Sequence, residues 1–254
     1  MSIIYNLIYD SQRKNIPVAL CTIVSVKGST PRKVGAKMLV FEDGSISGTI
    51  GGGNLEKKVI ENALNVLIGR EAKLFKHDLL HQLDMCCGGT VEIFIEPILE
   101  RNRLYIFGAG HTGHKLAQYA VNLDFEIFLI DDRKEHLDGC RIPGVSKMHM
   151  NFQESLPLLP FDENVFACIM TYSHPMDREI LSYCINKPFA YLGMIGSQRK
   201  VEVTKKMFAE GLGITKSQLD KVDMPMGLDI MAEGPDEIAI SILAKLIDVK
   251  HKKK

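Results

Sequence analysis

The chain has 254 residues, with 31 basic and 31 acidic side chains in formal balance, 46% hydrophobic residues and six cysteines. That length and apolar content allow a sizeable core in one large domain or two ordinary ones, and the even charge supplies no electrostatic footprint for nucleic acid or an anionic membrane. Six cysteines without CxxC spacing are too sparse for a disulfide scaffold or structural zinc and read as reduced thiols. No apolar run approaches the ~20 residues of a membrane span, and the N-terminus lacks a basic leader and cleavage site, so the expectation is a cytoplasmic protein.

In chain order, Ile3, Ile4, Leu7 and Ile8 recur at helical spacing and predict a short amphipathic helix ending before Pro17. Residues 18–26 read as a buried strand, 36–41 as a second, and Glu42-Asp43-Gly44 as a hairpin turn into a third at 45–50. Gly51-Gly52-Gly53 then leads into a helix over 55–68, with Asn54 as the expected N-cap and Glu56 in the first turn, where the helix dipole favours a carboxylate. Residues 72–79 and 90–98 read as further strands, the second preceded by Cys86-Cys87-Gly88-Gly89. Pro97 closes this antiparallel α+β region, and a linker near residue 100 divides the chain into domains 1–100 and 101–254.

The second region has a different grammar. The apolar run Leu104-Tyr105-Ile106-Phe107 is followed by Gly108-Ala109-Gly110-His111-Thr112-Gly113, which opens a helix carrying Leu116, Ala117 and Ala120. A second run, Ile127 to Ile130, ends in Asp131-Asp132, close to the ~20-residue spacing of a ribose-binding acid. This is a Rossmann-type βαβ unit. Gly108 permits the tight turn, Gly110 allows backbone to approach a pyrophosphate, and Gly113 brings helix against sheet. Strands at 145–150, 165–170 and 189–195, with helices at 177–185 and from 196–197 to 211, continue the βα alternation of a parallel sheet. The last helix begins at Pro235, a favourable first-turn residue. Its apolar stripe is Ile238, Ile242 and Leu246, and its basic end Lys250 to Lys254 complements the helix C-terminus.

Two glycine clusters stand out in the first domain, Gly51 to Gly53 before a helix and Gly88-Gly89 before a strand. Glycine admits close approach of a ligand and leaves N–H groups for anions, and both clusters also fit plain tight turns. Cys87 adds a soft nucleophile beside one of them, where backbone N–H groups would lower a thiol pKa. Cys21, Cys168 and Cys184 fall in apolar segments and read as core. His111 and His114 share a helix face. No carboxylate or thiol joins them in a local pattern, so His111 is expected beside the occupant of the turn rather than on a metal. Asp177 follows a strand end and reads as an N-cap. Asp131 is expected to accept from the hydroxyls of a bound ribose and to repel a 2′-phosphate.

The motifs GSTPRKVGAKMLV from Gly28, GTIGGGNLE from Gly48, CGGTVEIFIEP from Cys87, LYIFGAGHTG from Leu104 and IDDR from Ile130, with the closing PMGLDI and PDEIAISI, occur in order. In them the chain resembles the XdhC/CoxI family, accessory proteins of xanthine dehydrogenase and related molybdenum hydroxylases. The resemblance implies an N-terminal XdhC/CoxI α+β domain and a C-terminal Rossmann domain. It also implies a cytoplasmic, homo-oligomeric chaperone rather than a catalyst. Such a protein binds molybdenum cofactor (molybdopterin), protects it while a terminal oxo ligand is exchanged for sulfur from a cysteine desulfurase, and passes it to the apo-hydroxylase. Carried over by motif, the cofactor-binding residues are Gly51, Gly52, Gly53 and Glu56 with Cys87, Gly88 and Gly89, Cys87 being the candidate ligand to molybdenum. The two clusters are therefore expected to meet in space. Gly108, Gly110, His111, Gly113, Asp131 and Asp132 would hold NAD or another adenine nucleotide.

Three positions depart from the family pattern: Asn54 stands where many relatives have cysteine, and Met231 and Gly234 replace a small residue and a threonine in the closing motif. A competing reading is an NAD(P)-dependent oxidoreductase or a nucleotide-gated sensor built on the Gly108 turn, for which only His174 and Asp177 are placed to act as acid or base. A structural Rossmann module serving as a partner platform is a third.

Overall fold

The computed structural model describes residues 2–81, 88–211 and 214–252, and the chain divides into two compact units, Met1–Glu100 and Arg101–Lys254. The first unit contains α1 (Ser2–Lys14), β1 (Val18–Lys27), β2 (Lys37–Phe41), β3 (Ile46–Gly48), α2 (Gly53–Gly69), β4 (Lys73–Asp78) and β5 (Thr90–Ile98). Its sheet has the order β3-β2-β1-β5-β4 and every neighbouring pair is antiparallel. Strand alternation sorts the side chains of β1 onto two faces. Ala19, Cys21 and Ile23 join Leu55, Val59, Ala63 and Val66 of α2 in one core. Val18 and Leu20 pack instead with Ile4, Leu7 and Ile8 of α1.

This pairing collects loops at one end of the sheet. Lys27 at the end of β1 lies opposite Thr90 at the start of β5, and Met38 near the start of β2 lies opposite Gly48 at the end of β3. The segments 28–36, 49–52 and 88–89 therefore all leave or enter the sheet at the same edge.

The second unit contains β6 (Asn102–Phe107), α3 (His111–Ala120), β7 (Phe125–Asp131), α4 (Lys134–Asp138), β8 (Val145–His149), α5 (Phe152–Ser155), a 3-10 turn (Leu156–Leu158), β9 (Val165–Ile169), α6 (His174–Cys184), β10 (Tyr191–Met194), α7 (Gln198–Gly211), α8 (Lys216–Leu219) and α9 (Gly234–Lys252). The strands form a parallel sheet in the order β10-β9-β6-β7-β8, the doubly wound arrangement whose direction of progression reverses at β6. Both faces are covered, as a parallel sheet requires. Leu104 and Ile106 of β6 pack with Leu116, Ala117 and Ala120 of α3 and with Ala239, Ile242 and Leu246 of α9. Tyr105 and Phe107 pack with Ile180, Leu181 and Cys184 of α6 and with Phe208 of α7. The basic end of α9 is tied down at Lys250, whose ammonium donates to the Leu123 carbonyl at 2.7 Å.

The short helices α4, α5 and α8 carry too few residues to show a helical period, which is why the sequence pattern does not reveal them. Two of them start on a side-chain cap: Asn151 accepts from Glu154 N–H at α5, and Thr215 and Gln218 form a reciprocal capping box at α8. Asn54 is not the N-cap of α2: that position is Gly52, at φ 78°, and no side chain bonds there in the manner of a cap residue. Likewise Asp177 lies inside the first turn of α6, whose N-cap is Ser173.

Cys21, Cys168 and Cys184 are fully buried. Burial pushes the Cys21 and Cys184 thiols up to about 12 and raises Cys168 as well. The expected outcome is that these three resist alkylation of the native protein at about pH 8 and react once it is denatured, since the thiolate is the reactive species. Peptide mass mapping checks this, and native labelling at the rate of a free thiol would contradict it.

Candidate functional sites at the two sheet ends

In the first unit the geometry is set by the loop 49–52. Glu56, in the first turn of α2, reaches back so that one carboxylate oxygen accepts the N–H groups of Gly52 at 2.9 Å, Ile50 at 3.1 Å and Gly51 at 3.3 Å, and the Thr49 hydroxyl as well. Partial burial is the largest influence on this carboxyl and acts to raise its pKa. The hydrogen bonds from Thr49, Gly52, Ile50 and Gly51 together outweigh it, and the pKa lies below the ordinary glutamate value. Two of the N–H groups expected to receive a phosphate, those of Gly51 and Gly52, are thus spent on an anion supplied by the chain itself.

The two glycine clusters are linked through the segment between β1 and β2. A Cβ on Gly51 would stand 2.8 Å from Pro31 Cβ, and one on Gly89 would stand 2.6 Å from the Lys27 carbonyl and 2.8 Å from Thr30 Cγ2. Residues 27–31 therefore touch both clusters, and side chains are excluded at Gly51 and Gly89 by close packing. Gly52 and Gly88 differ, because among the described residues a Cβ on either would meet nothing within 4 Å. Their positive φ values, 78° and 65°, keep glycine there for conformation and leave the Cα face open. Arg32 and Lys33 are exposed in the same loop, and among the described residues neither forms an ion pair. Cys86 and Cys87 lie outside the described residues.

In the second unit each glycine of the turn has a distinct physical role. Gly108, at φ 117°, lies so close to the end of β9 that a Cβ would sit 2.8 Å from the Met170 carbonyl carbon. Gly113 is pressed against the Gly108 carbonyl, so α3 approaches the turn only without a side chain there. Gly110 is the N-cap of α3, carries no side-chain cap bond, and has open space where a side chain would be. A cavity of about 510 Å³ adjoins it, lined by Gly110, His111, His114, Lys115, His136 and Arg141 among others. His114 shares a 2.7 Å hydrogen bond with the His136 carbonyl oxygen. Among the described residues no group of three or more His, Cys, Asp or Glu side chains is arranged to hold a metal ion.

Asp131 is 0% exposed. It accepts from Ala109 N–H at 2.7 Å, from Arg133 N–H at 2.9 Å, and from the Arg133 guanidinium at 2.9 and 2.8 Å. Burial raises its pKa, but the Arg133 side chain and backbone and the Ala109 N–H lower it further than burial raises it. All four acceptor positions of a carboxylate are occupied, so Asp131 has no capacity left for a ribose. Asp177, equally buried, accepts from Thr171 N–H at 2.9 Å, from the Thr171 hydroxyl at 2.7 Å and from Lys200 Nζ at 2.7 Å. Lys200 also donates to the Ile195 carbonyl at 2.9 Å. Sequence reasoning missed this ion pair, because Lys200 lies on the next helix and no spacing rule links the two.

The Glu56 clamp gives a stability expectation. Because its pKa is depressed, the stabilisation is present above the ordinary glutamate range and is lost as pH falls through the folded-state value. Glu56→Gln should destabilise the first unit by about 1–3 kcal/mol at neutral pH. The difference from the natural chain should shrink as pH drops below that range, read by urea denaturation at several pH values.

Comparison with known proteins agrees with the two-part architecture. Residues 104–246 match the family model for the XdhC Rossmann domain, and residues 11–78 match that of the XdhC and CoxI family. The uncharacterized protein YqeB of Escherichia coli is 37% identical over 94% of this chain and 45% of its own length. A Bacillus subtilis protein described as a probable xanthine dehydrogenase component is 28% identical over 64% of this chain and 47% of its own. The chain thus spans about half the length of these two relatives. The molybdenum cofactor insertion chaperone PaoD of Escherichia coli is 23% identical over 91% of this chain and 83% of its own length. A crystal structure described as a xanthine dehydrogenase from Bacillus halodurans shares the fold, with a TM-score of 0.55, 24% identity and coverage of 98% of this chain and 96% of that one. With its Rossmann model covering more than half of the residues, this chain belongs to the XdhC/CoxI family.

Proposed function

We propose that this chain is an accessory protein that holds molybdenum cofactor at the glycine-rich end of its first unit, in support of a xanthine dehydrogenase-type hydroxylase. The observation that carries this reading is the contact of residues 27–31 with both glycine clusters, which unites two otherwise weak motifs at one sheet edge. Similarity to a cofactor insertion chaperone supports the class of activity. In this reading the open faces of Gly52 and Gly88 receive the pterin, and Arg32 and Lys33 supply positive charge to its phosphate. Glu56 acts indirectly, by fixing the loop 50–52. Cys87, the residue before Gly88, offers a thiolate to the metal–dithiolene end, a soft ligand for a soft centre. The proposed sequence is cofactor capture, exchange of a terminal oxo ligand for sulfur with a cysteine desulfurase as donor, and transfer to the apo-hydroxylase.

The second unit supports an additional reading, an adenine nucleotide at the Gly108 turn. The uncapped start of α3 presents N–H groups to an anion, and Gly110 leaves space for a pyrophosphate. Hydride-transfer chemistry is less well supported. Asp177 is committed to Lys200 and Thr171, and His174, with 68% of its side chain exposed, stands 3.8 Å from it.

The test is anaerobic purification followed by assay of bound pterin and molybdenum, with transfer to an apo-hydroxylase. Cys87→Ser should reduce molybdenum retention and client activation by about 10-fold or more, while thermal stability and nucleotide binding stay nearly unchanged. Cys86→Ser should have a much smaller effect. Equal transfer by the natural chain and Cys87→Ser would remove the thiol from the proposal, and failure of the natural chain to take up any pterin would overturn the reading.

A further inference from the structure

At the entrance to α2 the Gly51 and Gly52 N–H groups already bond to Glu56. A phosphate held at this sheet edge must therefore take its donors from elsewhere. A cavity of about 270 Å³ opens at the same edge, lined by Ile4, Arg32, Gly35, Ala36, Lys37 and Thr49. Thr49 joins it to the loop 49–52. Arg32, Gly35, Ala36 and Lys37 bring in the end of the 28–36 segment and the first residue of β2.

The lining carries two cations and no acid. The Arg32 carbonyl accepts the Thr30 hydroxyl, but among the described residues its guanidinium forms neither an ion pair nor a hydrogen bond. Lys37 is half-buried, and its ammonium donates to the Thr22 hydroxyl at 3.0 Å. That partner is neutral, so the charge is uncompensated among the described residues, and two of the three ammonium donors have no described acceptor. A charge drawn away from water is costly unless it meets its opposite.

The walls are held by close backbone approach. Gly48, at φ 83°, ends β3 so near its neighbours that a Cβ there would stand 2.9 Å from Ile4 Cδ1 and 2.6 Å from the Lys37 carbonyl oxygen. Gly35, at φ 89°, is the reverse, because among the described residues a Cβ there would meet nothing within 4 Å. The Thr49 hydroxyl is committed, donating to Glu56 and accepting the Gly51 N–H at 3.2 Å. Recognition at this cavity falls to Arg32 and Lys37.

We infer that this cavity is the phosphate subsite of the first unit, and that Arg32 and Lys37 are the cationic donors to the terminal phosphate of a phosphorylated ligand. The inference rests on the cofactor reading above, in which that ligand is the molybdenum cofactor, and it locates the phosphate end. Two cations match a phosphate dianion in charge. The planar Arg32 fork engages two of its oxygens, and Lys37 adds a point charge. The volume lies below the roughly 300 Å³ at which pockets hold whole small molecules. It suits an end group and leaves the pterin ring system for the open faces of Gly52 and Gly88. Lys33, the other cation of the loop, is outside the lining.

Equilibrium dialysis of the full chain against radiolabelled inorganic phosphate at constant ionic strength tests this. The variants are Arg32→Gln, Lys37→Met and, as a control for net charge, Lys73→Gln, each checked for an unchanged melting temperature. The expected result is at least one phosphate bound per chain, with the affinity of one site lowered about tenfold or more in Arg32→Gln and in Lys37→Met and unchanged in Lys73→Gln. Should Lys37→Met prove unstable, Arg32→Gln decides alone, since Arg32 is exposed in a loop. Phosphate affinity that is unchanged in Arg32→Gln, or lowered equally in Lys73→Gln, overturns the subsite even where the chain takes up pterin. Phosphate binding that depends on Arg32 and Lys37 in a chain that takes up no pterin overturns the cofactor reading and retains the subsite for another phosphorylated ligand.

Discussion

A backbone N–H in a tight loop must find an acceptor, and at the ends of both sheets this chain supplies one from its own carboxylates. Glu56 gathers the N–H groups of Ile50, Gly51 and Gly52. Asp131 takes those of Ala109 and Arg133, and Asp177 takes that of Thr171. Glu56 and Asp177 lie on the helix that follows the loop they fasten, whereas Asp131 ends β7 and reaches across to the turn after the neighbouring strand β6. The chain thus fastens these loops itself, and loops held in this way lower the ordering cost of binding.

The same economy decides which backbone remains for a ligand. Gly51, Gly89, Gly108 and Gly113 are packed against neighbouring chain and have no room to offer. Among the described residues, nothing occupies the position a side chain would take at Gly52, Gly88 or Gly110. Glycine therefore has two separate functions within a single motif, one for folding and one for access. The two are indistinguishable as letters in a sequence.

The units solve the problem of placing loops together in different ways. Antiparallel pairing of β1 with β5 and of β2 with β3 brings segments far apart in sequence to one edge without any crossover. In the parallel sheet the strand ends collect by the handed βα repeat, so Gly108, Asp132 and Thr171 follow β6, β7 and β9 at a common edge. Both arrangements bury the chemistry-bearing loops at their base and expose them at their tips, as binding loops on a rigid scaffold require.

Much of the architecture was determined by the sequence alone, because periodicity and turn chemistry are local. The apolar run of β1, the all-apolar β9, the glycine turn between β6 and α3, and the stripe on α9 each identify an element without reference to the rest of the fold. The family motifs likewise located the loops at both sheet ends. Tertiary structure alone decided how the charges in those loops are spent. Asp131 and Asp132 are equivalent in the sequence, yet one is saturated by Arg133 and Ala109 while the other keeps a buried oxygen without a partner among the described residues. Glu56 fitted a favourable helix dipole, but only the folded loop shows that it occupies the Gly51 and Gly52 N–H groups. The pairing of Asp177 with Lys200 joins two helices through a strand end and leaves no mark in spacing. The physical reason is common to all three: secondary structure follows from neighbours along the chain, whereas the saturation of a hydrogen-bonding group depends on neighbours in space.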